Sequence, residues 1–577
     1  MGAQMREARF FRVALVIAVW GLGQAAVAQG PERARPLDGW LYGRGDAPYE
    51  ADYWGNVMSG RSPSMIFPLF GAELSRAESS LDWSESDPRL RLSLGTPTFC
   101  FDTPYTDSSA ISSPPSPTLP ELQRAMQSLP SPLELDLGLS VGKSLSITSD
   151  IGLYYRRDRF TGTGSTLAWD AMTGWGEGLV GNIEFPRKAW VAYGTEGFGV
   201  AFGRFPAGIG AGHFGSLVLN SEALYYDQAF FHLGTDRLRF AWMLGTSSAQ
   251  LSASEADVQW RHNSEGSSYW DTESDHDYSA SQNALKLFAY HTLEYLPWER
   301  LRIGLTEFAV MGGTTPSLNY LLPTLSWHNT YSAGYSNVAM AVMASCVPVD
   351  GLLLSGQFLL DDTQGSDEAA NSKPGAYAWQ ASAVYATRPA QGALVTVGAE
   401  YNHVDRWTYV RWQPYLSMYQ RQILPGGYHG IDLPLGFAYG PDCDQGGVWA
   451  EYRDASGASL KFSYELVFKG PIYMGMVNEI DNLLTTGSPS LESIPVYYDY
   501  DTYAGPGGLE AILARPDEIR NIFALSGSVP FAKGLDAMCS VSLGFYQNYG
   551  NESGVYAHLV VVYLGVRWRP LSAGVAR

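Results

Sequence analysis

The chain has 577 residues, of which 17% are charged and 13% aromatic, and its formal net charge at pH 7 is −20. This acidic balance disfavours a nucleic-acid partner, because nucleic acids are bound mainly through lysine and arginine. Beyond the N-terminal segment no run of about 18 apolar residues occurs, which excludes transmembrane helices. The 62 glycines and the many aromatic residues are instead typical of a membrane β-barrel.

Residues 1–28 have the pattern of a secretory signal peptide. Arginines precede a short apolar core at residues 13–20, and Ala26-Val27-Ala28 fits the small-x-small site that a signal peptidase cleaves. The apolar core is too short to span a bilayer, which needs about 20 residues. We therefore expect cleavage after Ala28 and export of the mature chain.

Residues 29–132 lack the strand pattern of the rest of the chain. Residues 102–132 are rich in serine and proline, with a short helical pattern at 119–126, which favours a loop or plug insertion. The largely apolar run 65–74 predicts a first strand, although Pro68 cannot donate to a ladder. We assign residues 29–132 to an N-terminal periplasmic or plug region with this first strand, and residues 133–577 to the barrel.

Alternation of apolar and polar residues predicts strands from residue 133 onward. In residues 460–468 every even position is large and apolar, and residues 133–141 and 395–401 have the same period of two. Such strands have one apolar face and one mostly polar face. The pattern predicts about 17 strands between residues 133 and 569, and the run 65–74 would make about 18.

Connections between the predicted strands alternate in length. Short connections fall at 195–197, 234–236, 296–299, 347–351, 388–392 and 454–458, and long ones at 205–227, 247–283, 312–337, 361–375, 410–446 and 470–520. Outer-membrane barrels have short periplasmic turns and long extracellular loops. The chain is therefore predicted to be an all-β, transmembrane, antiparallel up-and-down barrel of the outer membrane, with a small helical plug or loop helices. Its loops would be extracellular and its termini periplasmic.

Cysteine and histidine spacing indicates no catalytic or metal site. Cys100, Cys346, Cys443 and Cys539 match no metal-binding spacing; Cys346 and Cys539 fall in predicted strands, Cys443 falls in a predicted loop, and no disulfide is assigned. No H-E-x-x-H or G-x-S-x-G motif occurs. The acidic clusters 271–277 and 361–368 are interpreted as solvated loops rather than Ca²⁺ sites. We predict no enzyme activity, no cofactor and no metal.

Two short motifs are interpreted as structural. The glycines of Gly210-Ala211-Gly212-His213-Phe214-Gly215 formally match a dinucleotide-binding pattern, but no βαβ unit follows them, and a loop folding back against the barrel is the better interpretation. Arg44-Gly45-Asp46 has the form of an integrin-binding tripeptide. Its predicted periplasmic position argues against that role.

Aromatic residues are dense in two predicted long loops. Aromatic faces stack on sugar rings, and neighbouring charged groups bind sugar hydroxyls. The alternative is an interfacial aromatic girdle. The candidate glycan contacts are Trp407, Tyr409, Trp412, Tyr415, Tyr498, Tyr500 and Tyr503.

Four blocks of sequence, spanning about residues 178–455, resemble the capsule-assembly Wzi family of outer-membrane barrels. They are the glycine-rich stretch 203–221, residues 301–329 with their Gly312-Gly313 pair, residues 356–362, and residues 400–409 followed by Pro434-Leu435-Gly436 and Gly440-Pro441-Asp442. The resemblance implies an 18-stranded barrel with a helical plug toward the periplasm. It also implies a lectin-like extracellular face that anchors capsular polysaccharide, and no enzyme activity.

Charged residues within these blocks are candidates for a network in the lumen that holds plug and wall together. They are Arg204, Glu307, Asp361, Asp362, Asp405 and Arg406. The leading hypothesis is a non-enzymatic barrel that binds a surface or capsular polysaccharide through its extracellular loops. A porin or gated solute channel, and an adhesin displayed on a barrel scaffold, are the alternatives. Outer-membrane lipid and the barrel-assembly machinery are the other expected partners.

Overall fold

The computed structural model describes residues 41–42, 44, 47–70, 72–74, 90–102, 130–142, 144–155, 179–181, 186–221, 223, 225–247, 286–312, 322, 336–362, 375–389, 393–410, 416–423, 430–454, 456–472 and 513–569. The predicted signal peptide, the helical patch at 119–126 and the acidic cluster 271–277 lie outside these residues. No helix among the described residues is long and apolar enough to cross a membrane.

The wall is a closed antiparallel barrel of 18 strands, which confirms the predicted fold. In chain order its strands are β4 (Leu90–Asp102), β5 (Leu133–Val141), β6 (Leu145–Tyr155), β7 (Leu179–Gly181), β8 (Ala189–Thr195), β9 (Phe198–Phe205), β11 (Tyr226–Gly234), β12 (Leu238–Ser247), β13 (Lys286–Trp298), β14 (Leu301–Met311), β15 (Ser336–Val349), β16 (Leu352–Asp362), β17 (Ala376–Thr387), β18 (Leu394–Val404), β21 (Cys443–Arg453), β22 (Ser459–Lys469), β23 (Glu518–Ala532), β24 (Leu535–Gln547) and β25 (Tyr556–Trp568). β7 and β8 both pair with β6, and together they form one interrupted strand of the wall. β25 pairs with β4 and closes the barrel.

Side-chain alternation separates an apolar outer face from a mixed inner face. In β17 buried and exposed residues alternate at every position: Tyr377 and Trp379 point outward, whereas Gln380 is buried in the lumen. Leu139, Phe202, Leu305 and other large apolar residues are exposed on the outer face. An outward apolar surface with this alternation is the signature of a membrane-spanning barrel.

The two ends of the barrel differ in their connections. One end has tight turns, such as Glu299-Arg300 between β13 and β14 and Asp350-Gly351 between β15 and β16; we call it the turn end. The opposite end, which we call the loop end, has the connections 248–285, 312–335, 363–375, 405–442 and 470–517. This distribution agrees with the predicted alternation, and both barrel termini, at the start of β4 and the end of β25, lie at the turn end.

Short elements occupy the interior of the barrel. Helix α1 (Ala47–Met58) is followed by β2 (Ile66–Phe67) and β3 (Leu69–Phe70), and β3 pairs with β1 (Leu41–Tyr42). β2 pairs with β10 (Gly208–Ile209), which belongs to the connection between β9 and β11. A small hairpin of β19 (Tyr419–Ile423) and β20 (Gly430–Pro434) lies in the connection between β18 and β21.

Helix α1 ends beside two turns of the wall. Gly60 has a φ of +79°, a conformation that glycine adopts without steric cost and that commonly terminates helices. A Cβ at this position would meet the side chains of Asp350 and Arg300 within 3 Å. The backbone N–H of Gly351 donates to the carbonyl of Val57, so the C-terminal end of the helix is fixed to the turn end.

Three sequence predictions were wrong: a wall strand at 65–74, a barrel that starts at residue 133, and a loop position for Cys443. The run 65–74 is not a wall strand: it lies inside the barrel, and its apolar residues Met65, Ile66 and Phe70 are buried without alternation because the lumen surrounds them. The additional wall strand is β4, so the barrel starts at Leu90 rather than at residue 133. Cys443 begins β21 and does not lie in a loop, whereas Cys346 and Cys539 lie in strands as predicted.

A charge placed at mid-height on the outer face should destabilise the barrel. Val342 lies in the middle of β15 and is 49% exposed. We expect Val342→Arg to lower the free energy of unfolding by about 2–4 kcal/mol, since an arginine at the bilayer midplane loses its hydration. Urea-induced unfolding of the protein in lipid vesicles measures this change.

Val349→Arg is the matched control. Val349 is 56% exposed on the same strand but lies beside the turn at Asp350, where an arginine reaches water and should cost about 1 kcal/mol or less. Equal losses for the two variants would contradict the assignment of this face to lipid.

Candidate functional site

The lumen is filled from the turn end by α1 and the segments beside it. We call the described residues of 41–74 the plug. The hydroxyl of Ser62 contacts the hydroxyl and carbonyl oxygens of Ser345 on β15, and Arg302 on β14 donates to the carbonyl of Ser62. The Ser62 N–H donates to the carbonyl of Glu299 in the turn. These bonds join the plug to β14, β15 and the turn between β13 and β14.

Glu294 of β13 is the main carboxylate anchor of this segment. Its side chain is fully buried and accepts hydrogen bonds of 2.7 Å from both the backbone N–H of Met65 and the hydroxyl of Ser64. Arg302, directed inward from β14, lies 3.4 Å away. Glu294 therefore satisfies a backbone donor that β2 leaves free and a buried guanidinium at the same time.

A second carboxylate pair fixes the other side of the plug. Glu73 lies 2.6 Å from the guanidinium of Arg239 on β12, and Arg239 also donates to the carbonyls of Ile66 and Pro68. His232 of β11 is 3.3 Å from the same carboxylate, and its ring centroid lies 5.1 Å from that of Phe70. In this pair the arginine belongs to the wall and the carboxylate to the plug.

The connection between β9 and β11 folds into the middle of the lumen. Arg44 donates to the carbonyls of Gly210 and Gly212, so the two motifs that the sequence presented separately are in contact. His213 lies parallel to the indole of Trp449, with ring centroids 4.0 Å apart. The predicted glycine-rich loop does fold against the barrel.

A belt of inward amides and carboxylates receives this loop. Gln357, Gln380, Asn402 and Gln445 occupy directly opposite positions on β16, β17, β18 and β21 and are hydrogen-bonded in sequence. Gln357 accepts the N–H of Leu217, and Gln380 donates to the carbonyl of Gly215. The belt thus supplies partners for a backbone that has no strand to pair with.

Glu400 completes the belt. Its two carboxylate oxygens accept the successive backbone N–H groups of His213 and Phe214, at 2.6 and 3.2 Å. It also contacts the amides of Gln380 and Asn402. A carboxylate that accepts two consecutive N–H groups fixes the direction of the loop as well as its position.

The connection between β18 and β21 covers the lumen at the loop end; we call its described residues, 405–410, 416–423 and 430–442, the cap. Tyr409 is fully buried: its N–H donates to Asp361 at 2.7 Å, and its hydroxyl donates to the carbonyl of Leu217. Asn220 of the glycine-rich loop donates to Leu435 through its backbone. The cap and the loop below it therefore form one packed body.

Two wall residues hold the far side of the cap. Lys286 at the loop end of β13 donates to the carbonyl of Ser417, and its ammonium lies 3.5 Å from the ring centroid of Tyr419. Asn337 of β15 donates to the carbonyl of Leu416. The cap is thus attached to β13 and β15 as well as to β16.

Burial raises the pKa values of the two tyrosines of α1. It raises the pKa of Tyr53 to about 12 and that of Tyr49 further, while Arg44 acts in the opposite direction on both. Both phenols are therefore neutral at physiological pH. They stack on one another, with ring centroids 5.8 Å apart.

The predicted charged network is not one network. Asp361 faces the lumen and holds the cap, as described. Arg204 pairs with Asp227 at 2.6 Å and Glu307 with His291 at 2.8 Å, but strand alternation places both pairs on the outer face. Asp405 pairs with His403 at the rim of that face, Arg406 lies 3.5 Å from Asp442, and Asp362 ends β16 half-buried.

Among the predicted glycan contacts, Trp407 and Tyr409 lie in the cap and are buried, so a sugar ring could reach them only after the cap moved. Trp412, Tyr415, Tyr498, Tyr500 and Tyr503 lie outside the described residues. The role of all seven stays a prediction.

The residues that hold the lumen together were missed by motif reasoning. Glu294, Gln357, Gln380 and Glu400 are single polar residues at inward positions of strands whose outward positions are apolar. The alternation of inward and outward positions along those strands could have identified these four residues. Among the described residues no group of three or more His, Cys, Asp or Glu side chains is arranged to hold a metal ion.

No family model and no curated protein matches the sequence. Among solved structures, the chain is similar to Wzi of Escherichia coli, described as a carbohydrate-binding β-barrel involved in group 1 capsule assembly, with a TM-score of 0.52, 12% identity, and coverage of 91% of this chain and 98% of that one. Similarity to OccD3 of Pseudomonas aeruginosa is weaker, with a TM-score of 0.35, 9% identity, and coverage of 75% and 86%. The likeness to Wzi shows a shared fold, as the sequence blocks implied.

Loss of the Glu294 carboxylate should weaken the attachment of the plug. In Glu294→Ala the Met65 N–H and the Arg302 guanidinium lose a buried partner, and removing one member of a buried pair costs about 3–5 kcal/mol. We expect an equal loss in unfolding free energy, or faster proteolysis within residues 47–74 of an otherwise intact barrel. Urea titration and limited proteolysis measure the two outcomes.

Glu299→Ala serves as the control. Glu299 also pairs with an arginine of the plug segment, Arg61, at 3.1 Å, but its side chain is 55% exposed, and exposed pairs contribute about 0–1 kcal/mol. A plug as stable and as protected in Glu294→Ala as in Glu299→Ala would contradict the anchoring role.

Proposed function

We propose that this protein is a non-enzymatic outer-membrane barrel that binds a surface or capsular polysaccharide at its loop end. The observation that carries the proposal is the filling of the lumen by three parts of the chain. A barrel of 16–18 strands otherwise encloses an aqueous channel. A chain that fills this channel with its own segments is better suited to binding than to passing solutes.

The filling is continuous along the β11–β18 side of the barrel. The plug is attached to Glu294 and Arg239, the glycine-rich loop to Gln357 and Glu400, and the cap to Asp361. Side chains from all three layers belong to one hydrophobic cluster that includes Phe70, Leu217 and Phe437. This arrangement argues against the alternative of an open porin.

The cap gives the predicted sugar contacts a rigid base. Segment 411–415, which carries Trp412 and Tyr415, leaves the cap at Val410 and returns at Leu416, and both residues are buried. A binding loop with fixed ends loses less conformational entropy when it binds a ligand. Arg406, 39% exposed at the same end, adds a charged hydrogen-bond donor for sugar hydroxyls or carboxylates.

The proposed orientation places the loop end outside the cell and the turn end in the periplasm. It is supported by the even number of strands, by the long connections collected at one end, and by the sequence pattern of a cleaved signal peptide. The apolar outer face makes membrane lipid a partner, and insertion of such a barrel would require the barrel-assembly machinery. The Wzi structure has the same fold and is described as carbohydrate-binding.

Purified protein in planar bilayers should give negligible single-channel conductance. The reason is that plug, loop and cap obstruct the lumen. A variant without residues 41–74 removes the lowest layer and should conduct more often or more strongly. A stable open state in the intact protein would overturn the proposal and favour a solute channel.

Binding to a glycan array should depend on aromatic residues of the loop end. Tyr500→Ala should weaken binding about tenfold, since a stacked aromatic contributes about 1 kcal/mol or more. Trp407→Ala, which removes a buried side chain of the cap, should also weaken binding, because it loosens the base from which segment 411–415 extends.

The control is Phe531→Ala, which removes an aromatic side chain that is 59% exposed at the turn end. It should leave glycan binding unchanged. Absence of binding to every glycan, or equal losses in all three variants, would contradict the proposal and leave the adhesin alternative.

A further inference from the structure

The lumen is not packed equally on all sides. Along β11–β18 the inward side chains are buried beneath the plug and loop. Along β22–β24 several inward residues remain half-exposed, among them the serines Ser463, Ser526 and Ser540. Toward the loop end the same wall is buried at Glu465, Lys469 and other residues. The described residues therefore leave a polar recess on this side of the lumen.

Three arginines line this recess at its mouth. Arg567 of β25 and Arg91 of β4 occupy inward positions, because their neighbours Trp568, Val566 and Leu94 are exposed on the outer face. Arg569 directly follows β25, and its guanidinium bonds Asp536. Arg91, Asp536 and Arg569 are among the charged groups that act on Arg567.

The carboxylates at this site do not satisfy Arg567. Glu134 lies 3.6 Å from Arg91, and Asp536 is bonded to Arg569. Arg567 makes no hydrogen bond or ion pair with any described residue, and its Nε is buried without a partner. Arg567 as a whole residue is half-buried on the inward face of β25.

The grouping runs against both the composition and the stability of the wall. The chain has 58 acidic residues against 38 lysines and arginines, yet three arginines lie close together here, beside Glu134 and Asp536. Arg91 and Arg569 adjoin the paired residues Leu92 and Trp568, and like charges on neighbouring strands destabilise a sheet. An anionic ligand would offset this repulsion.

We propose that Arg567, with Arg91 and Arg569, forms an oxyanion-binding site at the turn end of the lumen, for a carboxylate or phosphate group on a small hydroxylated ligand such as an acidic sugar. The guanidinium fork matches both oxyanions bidentately. The serines of the recess supply hydroxyl partners for the remainder of the ligand. The site lies at the opposite end of the barrel from the proposed glycan-binding loops and does not depend on them.

Isothermal titration of the full-length protein in detergent with glucuronate, inorganic phosphate and glucose tests the site. Glucuronate or phosphate should bind and neutral glucose should not, and which of the two anions binds more tightly identifies the oxyanion. In Arg567→Gln the dissociation constant should rise about tenfold or more, as expected for the loss of a charge-assisted hydrogen bond.

Arg237→Gln is the matched control, because Arg237 is an arginine of the same barrel end whose side chain is 63% exposed. It should leave the dissociation constant unchanged, and retained glycan-array binding by Arg567→Gln separates this site from the loop end. Lack of binding by either anion, equal binding of glucose, or equal losses in the two arginine variants would overturn the proposal.

Discussion

Every backbone N–H and C=O group away from water needs a hydrogen-bond partner, and this need determines both the closed wall and the polar lining of the lumen. In the wall, the groups are satisfied by closing the sheet, because a sheet edge in hydrocarbon would leave several costly groups unpaired. In the lumen, the inserted segments have little regular structure of their own. Their backbone groups need partners as well, and side chains of the wall provide them.

This second requirement explains the chemistry of the inner face. Glu294, Gln357 and Glu400 each accept backbone N–H groups of inserted segments, and Arg239 and Gln380 donate to their carbonyls. A fully apolar lumen could have buried Phe70 or Leu217 equally well, but it would have left these groups unsatisfied. The polar belt therefore specifies which part of the chain lies at which height.

The fold was largely predictable because alternation and turn length are local properties. The pattern of residues 460–468 corresponds to β22, and the short connection 454–458 corresponds to its turn. β4 was missed although Leu90, Leu92 and Leu94 alternate with polar or small residues, since Pro97 interrupts the pattern; this proline is tolerated where β4 pairs with β5 only through Leu90–Leu92. The site was less predictable, because whether Arg204 or Glu294 faces the lumen depends on strand parity, and their partners are distant in the sequence.

The unequal packing of the lumen follows from where the inserted segments originate. The plug and the glycine-rich loop pair with each other through β2 and β10, and the loop leaves the wall beside β9 and β11, so both are drawn against the strands that follow. The opposite wall, β22–β25 and β4–β6, receives no such segment among the described residues near the turn end, and small side chains such as Ser526 line it instead. A barrel filled from one side thus has a capped face at its loop end and a polar recess at its turn end, and the two ligand sites proposed for these surfaces share no residue.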